Sequence, residues 1–135
     1  VSIEEGDRSS VHKLSYKKDE RVVSDETSEN MKMILESVVS EGSGSKASVL
    51  GYHVGAKTGT SEKLPRSSNK YIASCLGFAP AGNPKVLAIV LIDEPEGIYY
   101  GGTIAAPIVS ELLDDALPYL GIPRSKNQPT PTPAY

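Results

Sequence analysis

The chain has 135 residues, of which 39% are hydrophobic and 23% are charged. This length suits one domain and excludes two ordinary ones. The 14 Lys and Arg against 17 Asp and Glu give a net charge of −3, which argues against a surface for nucleic acid or an anionic membrane. No apolar run approaches the roughly 18 residues that a membrane span requires, so we expect no membrane contact by this segment. A lone Cys75 excludes an internal disulfide and a cysteine-based zinc cluster.

The beginning of the chain carries weak signals. It opens on Val1 rather than on Met, so we expect a processed or excised piece. Residues 11–17 alternate in character, with His12, Leu14 and Tyr16 on one side, which predicts a modest strand. Because no cluster of other metal ligands accompanies it in the sequence, we interpret the histidine as an ordinary strand residue.

A helix is predicted over residues 25–40. Ser24 is a good N-cap, and two acidic residues follow it in the first turn, where the helix dipole favours them. Two glycines soon after residue 41 end the helix. Apolar residues recur at helical spacing and predict that one face of the helix lies on a sheet. These residues are Met31, Ile34, Leu35 and Val38.

Three strands are predicted next, near 51–60, over 71–79 and over 85–93. The segment PAGNP at 80–84 is a strong turn signal, so the last two strands should form an antiparallel hairpin. The strand over 85–93 is apolar on both faces, which predicts a central position in the sheet. Cys75 should be a small buried residue of the strand before it.

A second helix is predicted after these strands. Pro107 fits its first turn, and apolar residues keep helical spacing from Val109 to Leu120. Pro118 should break its last turn. The short loops between strands and the two helices together predict an α+β fold, in which the helices pack on a mainly antiparallel sheet.

The sharpest chemical signal is the tetrapeptide KTGT at residues 57–60, at the end of a predicted strand. A strand edge offers backbone N–H groups in a row, along which a peptide can add as a further strand. Lys57 is a cation that can attract a carboxylate, and the hydroxyls of Thr58 and Thr60 can hydrogen-bond to that carboxylate. Gly59 lets the backbone come close to a ligand.

These residues and their flanks resemble the C-terminal part of the transpeptidase domain of class B penicillin-binding proteins, in particular FtsI-like and SpoVD-like members. The resemblance covers residues 20–122. It implies the C-terminal half of a β-lactamase/transpeptidase-like fold over 1–122, followed by a Pro-rich tail or linker over 123–135. The matching blocks are RVVSDETSENMKMILESVV, EGSGSKA, GYHVGAKTGTSEK, SCLGFAPAGNPKVLAIVLIDEP and YYGGTIAAPIVSELL.

The resemblance implies a peptidoglycan D,D-transpeptidase. A serine attacks the D-Ala-D-Ala end of a stem peptide, an amine from a second strand resolves the acyl-enzyme, and β-lactams acylate the same serine. Lys57, Thr58, Gly59 and Thr60 would bind the substrate or the β-lactam. Lys57 would also be catalytic, and the backbone N–H of Thr60 would supply half of an oxyanion hole. No metal or organic cofactor is implied. The implied location is the extracytoplasmic face of the bacterial cell membrane, with the anchor outside this segment.

The family's nucleophile motif, Ser-x-x-Lys, and its middle Ser-x-Asn motif normally lie far upstream, but only 56 residues precede Lys57. The chemistry needs the serine at the start of a buried helix, with the lysine one turn later. The matches in this chain fall in predicted strands, in loops or on the wrong helix, so we interpret them as chance. They begin at Ser10, Ser15, Ser28, Ser43 and Ser67. The chain therefore looks like a fragment without its nucleophile, inactive alone, that needs the upstream half of its domain as a partner.

Other interpretations of the chain stay open at this point. A related D,D-carboxypeptidase or β-lactamase would share the Lys-Thr-Gly element, although the later blocks fit these enzymes less well. A non-catalytic module could sense β-lactams or serve as a scaffold in a division or spore-wall complex. An autonomous small domain of unrelated function is the third alternative.

Several chemically suggestive residues have plainer interpretations. Asp93, Glu94 and Glu96 are interpreted as solvated turn charges because Pro and Gly lie among them. His53 is interpreted as an ordinary strand residue, so we predict no metal site. By resemblance, residues 99–102 lie near the cleft at the start of the second helix, and a role in closing the sheet is an equal alternative.

Overall fold

The computed structural model describes residues 22–125 together with the backbone of two short strands. These strands, β1 (Ser2–Glu4) and β2 (Val11–Lys13), pair antiparallel. The strand predicted over 11–17 is therefore confirmed for its first three residues, and its remainder lies outside the described residues. Residues 126–135 of the predicted tail also lie outside them. Within 22–125, no helix has the length and apolar character needed to cross a bilayer.

Helix α1 (Asp25–Ser40) has the predicted bounds. The backbone N–H of Thr27 donates to the hydroxyl of Ser24 at 3.1 Å, which confirms the predicted N-cap. The helix contacts the first strand of the main sheet, but its apolar stripe is incompletely covered. Met31 is 46% exposed and Ile34 is 55% exposed. The prediction that the whole stripe lies on a sheet is therefore wrong for these two residues.

Three antiparallel strands form the main sheet: β3 (Gly55–Glu62), β4 (Tyr71–Ala79) and β5 (Val86–Asp93). The predicted hairpin of β4 and β5 is confirmed. Strand β3 begins later than expected, because the chain before it makes an isolated bridge between Val49 and Tyr52 instead.

The prediction that the strand over 85–93 is central is wrong for the strands that the structure describes. Strand β4 lies in the middle, and β5 pairs along one edge only. One face of β5 is half-buried beneath a helix, while Leu87, Ile89 and Leu91 on its other face are 56–64% exposed. The apolar character of that face therefore does not reflect burial within this segment.

A short helix α2 (Gly101–Ile104) leads into α3 (Ala106–Tyr119), which packs on β4 and β5. Val109, Leu113 and Leu117 of α3 recur at helical spacing and are fully buried, so they form the centre of the core. They pack with Cys75 of β4, which is fully buried as predicted.

Pro118 does not end α3 as predicted. It lies inside the last turn, and the helix continues to Tyr119. The backbone N–H of Leu120 still donates to the carbonyl oxygen of Ala116 at 3.0 Å. A proline that close to the C-terminus removes one hydrogen bond without unwinding the turn.

Residues 122–125, which we call the C-terminal strap, bind the loop before β3. Arg124 donates to the carbonyl oxygen of Leu50 and to the carboxylate of Asp114, both at 2.6 Å. Its guanidinium also lies 5.3 Å from the ring centre of Tyr52. The Tyr52 hydroxyl donates in turn to the carbonyl oxygen of Ile122 at 2.7 Å.

Replacing Arg124 should therefore loosen the strap. We expect Arg124→Ala to lower the free energy of unfolding by about 1–2 kcal/mol, since it removes a charged hydrogen bond to a carbonyl and a cation–π contact. Arg66→Ala is the matched control. Arg66 is 81% exposed and pairs with Glu62 at 3.8 Å, so its loss should cost less than about 0.5 kcal/mol. Urea unfolding measures both, and equal effects would contradict the anchoring role of Arg124.

Candidate active-site strand and cavity

Residues 57–60 lie inside β3, which continues two residues beyond Thr60 rather than ending there. Thr58 lies opposite Cys75 of β4, and Gly59 lies opposite Ser74. The other edge of β3 pairs with none of the strands that the structure describes. The sequence element singled out for its chemistry therefore occupies the open edge of the sheet, where an extended peptide can pair with it.

Lys57 is exposed and has no carboxylate partner among residues 22–125. Its ammonium donates to the carbonyl oxygen of Thr58 at 2.7 Å, so it lies back along its own strand. The cation also acts through the sheet: burial raises the pKa of the Cys75 thiol, and the charge of Lys57 partly offsets that effect. An uncompensated cation beside a free strand edge is suited to attract an anionic ligand.

The start of α2 packs closely against β3. The backbone N–H of Gly101 donates to the Thr60 hydroxyl at 3.2 Å. A Cβ atom at Gly101 would lie 2.2 Å from the carbonyl oxygen of Ser74 and 2.3 Å from that of Gly59. Only glycine fits there without displacing backbone, so the sequence pair Gly-Gly marks the point where helix and strand meet.

A cavity of about 500 Å³ opens beside the KTGT element. Its walls include Thr58 and Thr60 from β3, Ser43 and Lys46 from the loop after α1, and Tyr100 from the start of α2. The hydroxyls of Ser43 and Thr58 are 3.3 Å apart. Of residues 99–102, which were expected near the cleft, Tyr100 and Gly102 line this cavity. Sequence reasoning did not assign Ser43 and Lys46 to this wall, although the block EGSGSKA was a signal that could have found them.

None of the described serines that match the nucleophile motif or the middle motif begins a buried helix. Ser43 lies in a turn, and Ser67 lies in an exposed single turn of 3₁₀-helix over Arg66–Ser68. Ser28 is exposed on α1. The other two matches, at Ser10 and Ser15, lie outside the described residues.

Aromatic rings join the end of the β3–β4 hairpin to the start of α2. Tyr71 and Tyr99 stack with their ring centres 4.1 Å apart, and Tyr100 follows at 4.7 Å from Tyr99. This stack places Tyr100 at the cavity.

A group of four charged residues, here called the charge clip, lies where β3 and β5 end and β4 begins. Lys63 donates to Asp93 at 2.9 Å and to Glu94 at 2.8 Å, and Lys70 donates to Glu94 at 2.6 Å. Asp93 and Glu94 are therefore ion-paired rather than merely solvated, while Glu96 is exposed as expected. The hydrogen bonds from Lys63 and then Lys70 lower the pKa of Glu94 from 4.5 to about 2.

The charge clip should make stability depend on pH in acid. Because the folded chain favours the ionised Glu94, its contribution is full above pH 4.5 and is lost as pH falls toward 2. We expect Glu94→Gln to lower the melting temperature at pH 6 and to approach the parent chain near pH 2. Glu96→Gln is the control and should change the melting temperature little at either pH. A difference between Glu94→Gln and the parent that persists unchanged to pH 2 would contradict this role.

The histidine predicted as a strand residue lies just before β3 instead. His53 is exposed, and its Nδ1 contacts the carboxylate of Glu36 on α1. Across residues 22–125, no group of three or more His, Cys, Asp and Glu side chains is arranged to hold a metal ion.

The family model described as the penicillin binding protein transpeptidase domain matches residues 1–114. Stage V sporulation protein D of Bacillus subtilis is 46% identical over 125 residues, which are 90% of this chain and 19% of that protein. Peptidoglycan D,D-transpeptidase FtsI of Escherichia coli K12 is 37% identical over 108 residues, which are 76% of this chain and 18% of that protein. The chain thus spans about a fifth of the length of these two relatives.

Solved structures agree with these matches. The transpeptidase domain of an FtsI-type D,D-transpeptidase from Legionella pneumophila matches with a TM-score of 0.63 and 32% identity, over 70% of this chain and 37% of that one. Penicillin-binding protein 3 from Mycobacterium tuberculosis, in complex with ampicillin, matches with a TM-score of 0.73 and 26% identity, over 96% of this chain and 32% of that one. They confirm the predicted α+β class, with helices packed on an antiparallel sheet. The chain belongs to the family of penicillin-binding protein transpeptidase domains, of which it forms a part.

Proposed function

We propose that this chain supplies the substrate-binding strand of a peptidoglycan D,D-transpeptidase that β-lactams also acylate. The observation that carries the proposal is the edge of β3 that pairs with no described strand, where residues 57–60 lie beside a cavity lined by hydroxyl groups. The names of the Escherichia coli and Legionella relatives give the reaction class.

Substrate binding follows from the chemistry of β3. A stem peptide ending in D-Ala-D-Ala lies along the free edge as an added strand. Lys57 attracts its terminal carboxylate, and the Thr58 and Thr60 hydroxyls donate hydrogen bonds to that carboxylate. Gly59 keeps the strand free of a side chain where the peptide approaches.

The reaction is acyl transfer to a serine and then to an amine. The serine oxygen attacks the carbonyl carbon of the penultimate D-Ala, the amide bond breaks, and the terminal D-Ala leaves with the proton on its amine. The amine of a second stem peptide then attacks the ester, and the serine recovers its proton. The backbone N–H of Thr60 stabilises the oxyanion, together with an N–H from the nucleophile's own segment. Lys57 holds the carboxylate end in place during both steps.

The serine comes from a preceding half of the same domain, since no described serine has the required helix position. We take the domain to extend over 1–122 and 123–135 to be a tail or linker, of which Arg124 in the C-terminal strap binds back to the domain. Because the substrate is peptidoglycan, the domain works on the extracytoplasmic face of the cell membrane, with its anchor outside this segment.

Mass spectrometry after incubation with excess benzylpenicillin tests this proposal. The chain is incubated alone and together with the preceding part of the transpeptidase domain of the Bacillus subtilis relative. We expect no adduct on this chain and a penicilloyl adduct on the added half in the mixture only. An adduct on the chain alone would show that one of its own serines is a nucleophile. An added half that is acylated equally without this chain would overturn the proposed role of β3, and no adduct in the mixture would favour a non-catalytic module.

A further inference from the structure

The cavity beside β3 contains a cation that does not belong to the KTGT element. Lys46 lies in the 3₁₀ turn Ser45–Ala47 and lines the cavity. Its side chain is exposed and takes part in none of the ion pairs within residues 22–125. None of the residues that line the cavity is an Asp or a Glu. The cavity wall therefore carries one uncompensated positive charge.

The backbone that carries Lys46 is held in place from two sides. Ala47 is fully buried, and its N–H donates to the carbonyl oxygen of Gly44 at 2.8 Å. The carbonyl oxygen of Ser48 accepts a hydrogen bond from the Ser110 hydroxyl of α3 at 2.6 Å. The backbone of Lys46 is therefore fixed at the cavity wall, so that binding a ligand there requires ordering of the side chain but not of the loop.

Hydroxyl groups line the same cavity as this cation. Ser43 and Thr58 are within hydrogen-bond distance of each other, and Thr103 lines the cavity from α2. Hydroxyls turn to donate to whatever acceptor lies between them. An ammonium with several hydroxyl donors, and with no carboxylate to compete, is an environment for a carboxylate ligand.

The ammonium of Lys57, the other candidate cation, lies back along its own strand and does not line the cavity. Lys57 donates to the carbonyl oxygen of Thr58 and is not among the residues that line the cavity, whereas the Thr58 and Thr60 side chains are. A carboxylate held by these threonine hydroxyls therefore lies on the side of β3 from which Lys46 reaches in.

We propose that Lys46, outside the KTGT element, is a second substrate-binding cation for the terminal carboxylate of the peptide that binds along β3. This inference rests on the proposed function and adds a residue that binds the terminal carboxylate of the substrate. Because the site is open to solvent, the pair should strengthen binding by about threefold to fivefold. It should weaken as the salt concentration rises.

The test is a nuclear magnetic resonance titration of the 135-residue chain with two acetylated tripeptides. Both end in D-alanyl-D-alanine, one as the free acid and the other as the carboxamide. The parent chain should bind the acid more tightly. Lys46→Gln should lose about threefold to fivefold in affinity for the acid and nothing for the amide, while Lys46→Arg should keep the preference. Lys85→Gln, which removes an exposed lysine of the β4–β5 turn, is the control and should leave both affinities unchanged.

The possible results distinguish the proposed role of β3 from the proposed role of Lys46. If the parent chain binds the acid no better than the amide, both the carboxylate-reading role of β3 and the role of Lys46 are wrong. If the parent prefers the acid and Lys46→Gln keeps that preference, only the role of Lys46 is wrong. If Lys85→Gln weakens acid binding as much as Lys46→Gln, the effect is one of overall charge and the proposal also fails.

Discussion

Lys57→Gln should reduce the rate of acylation by benzylpenicillin about 10²–10³-fold when the chain is combined with the preceding half of the Bacillus subtilis domain. The substitution keeps a polar side chain, one atom shorter, but removes the charge that attracts the carboxylate of the β-lactam. Mispositioning the carboxylate moves the reacting carbonyl away from the oxyanion donors, which is where a loss of this size arises. The measurement is the rate at which a fluorescent penicillin labels the mixture.

Lys85→Gln is the control for that experiment because it removes the same charge from an exposed turn. Labelling should proceed at the parent rate in this variant. Unfolding by urea should also be unchanged in Lys57→Gln, since the exposed ammonium of Lys57 bonds only to the neighbouring carbonyl oxygen of Thr58 among the described residues. If Lys57→Gln is labelled at the parent rate, Lys57 does not take part in the acylation site.

Gly101→Ala should lower the free energy of unfolding by about 2–3 kcal/mol, because the new methyl group would overlap two backbone carbonyl oxygens. These belong to Ser74 and Gly59, at 2.2 and 2.3 Å from the added carbon. Neither can move without distorting the pairing of β3 with β4. Helix α2 must shift instead, and the hydrogen bond from Gly101 to Thr60 breaks. Labelling by penicillin in the combined domain should fall as well.

Gly82→Ala provides the matched comparison. A Cβ atom at Gly82, in the turn between β4 and β5, would meet nothing within 4 Å. Its substitution should leave stability unchanged within about 0.5 kcal/mol, or raise it slightly by restricting the unfolded chain. If both glycine variants unfold at the same urea concentration, the close contact at Gly101 is not what holds α2 on β3.

The elements of this fold were predictable from sequence where local signals and packing agree. Asp25–Ser40 has a side-chain N-cap and a helical period, and Tyr71–Asp93 has a turn between two strongly apolar runs. The order of the strands was harder to predict. An apolar strand such as β5 can lie in the centre of a sheet, or it can lie at an edge and pack against a part of the protein outside this segment. The residues of the strand do not distinguish these two cases.

The candidate site also contains a part that the sequence predicts and a part that it does not. Residues 57–60 form a contiguous motif, so the sequence placed them together. The contact of Gly101 with Thr60 and that of Ser43 with Thr58 join residues far apart along the chain. No periodicity or spacing predicts such contacts. The sequence does not indicate the ion pairs of Glu94 for the same reason, since Lys63 and Lys70 reach it only once β3, β4 and β5 have paired.

The exposed row of Leu87, Ile89 and Leu91 has a consequence for handling the chain in solution. These side chains lie on a strand that, among the described strands, is paired along one edge only. A long apolar strand with an open edge is a template for pairing with a second molecule. At high concentration the isolated chain should therefore self-associate through β5. Ile89→Lys should keep the chain monomeric without disturbing β3, which lies on the far side of β4.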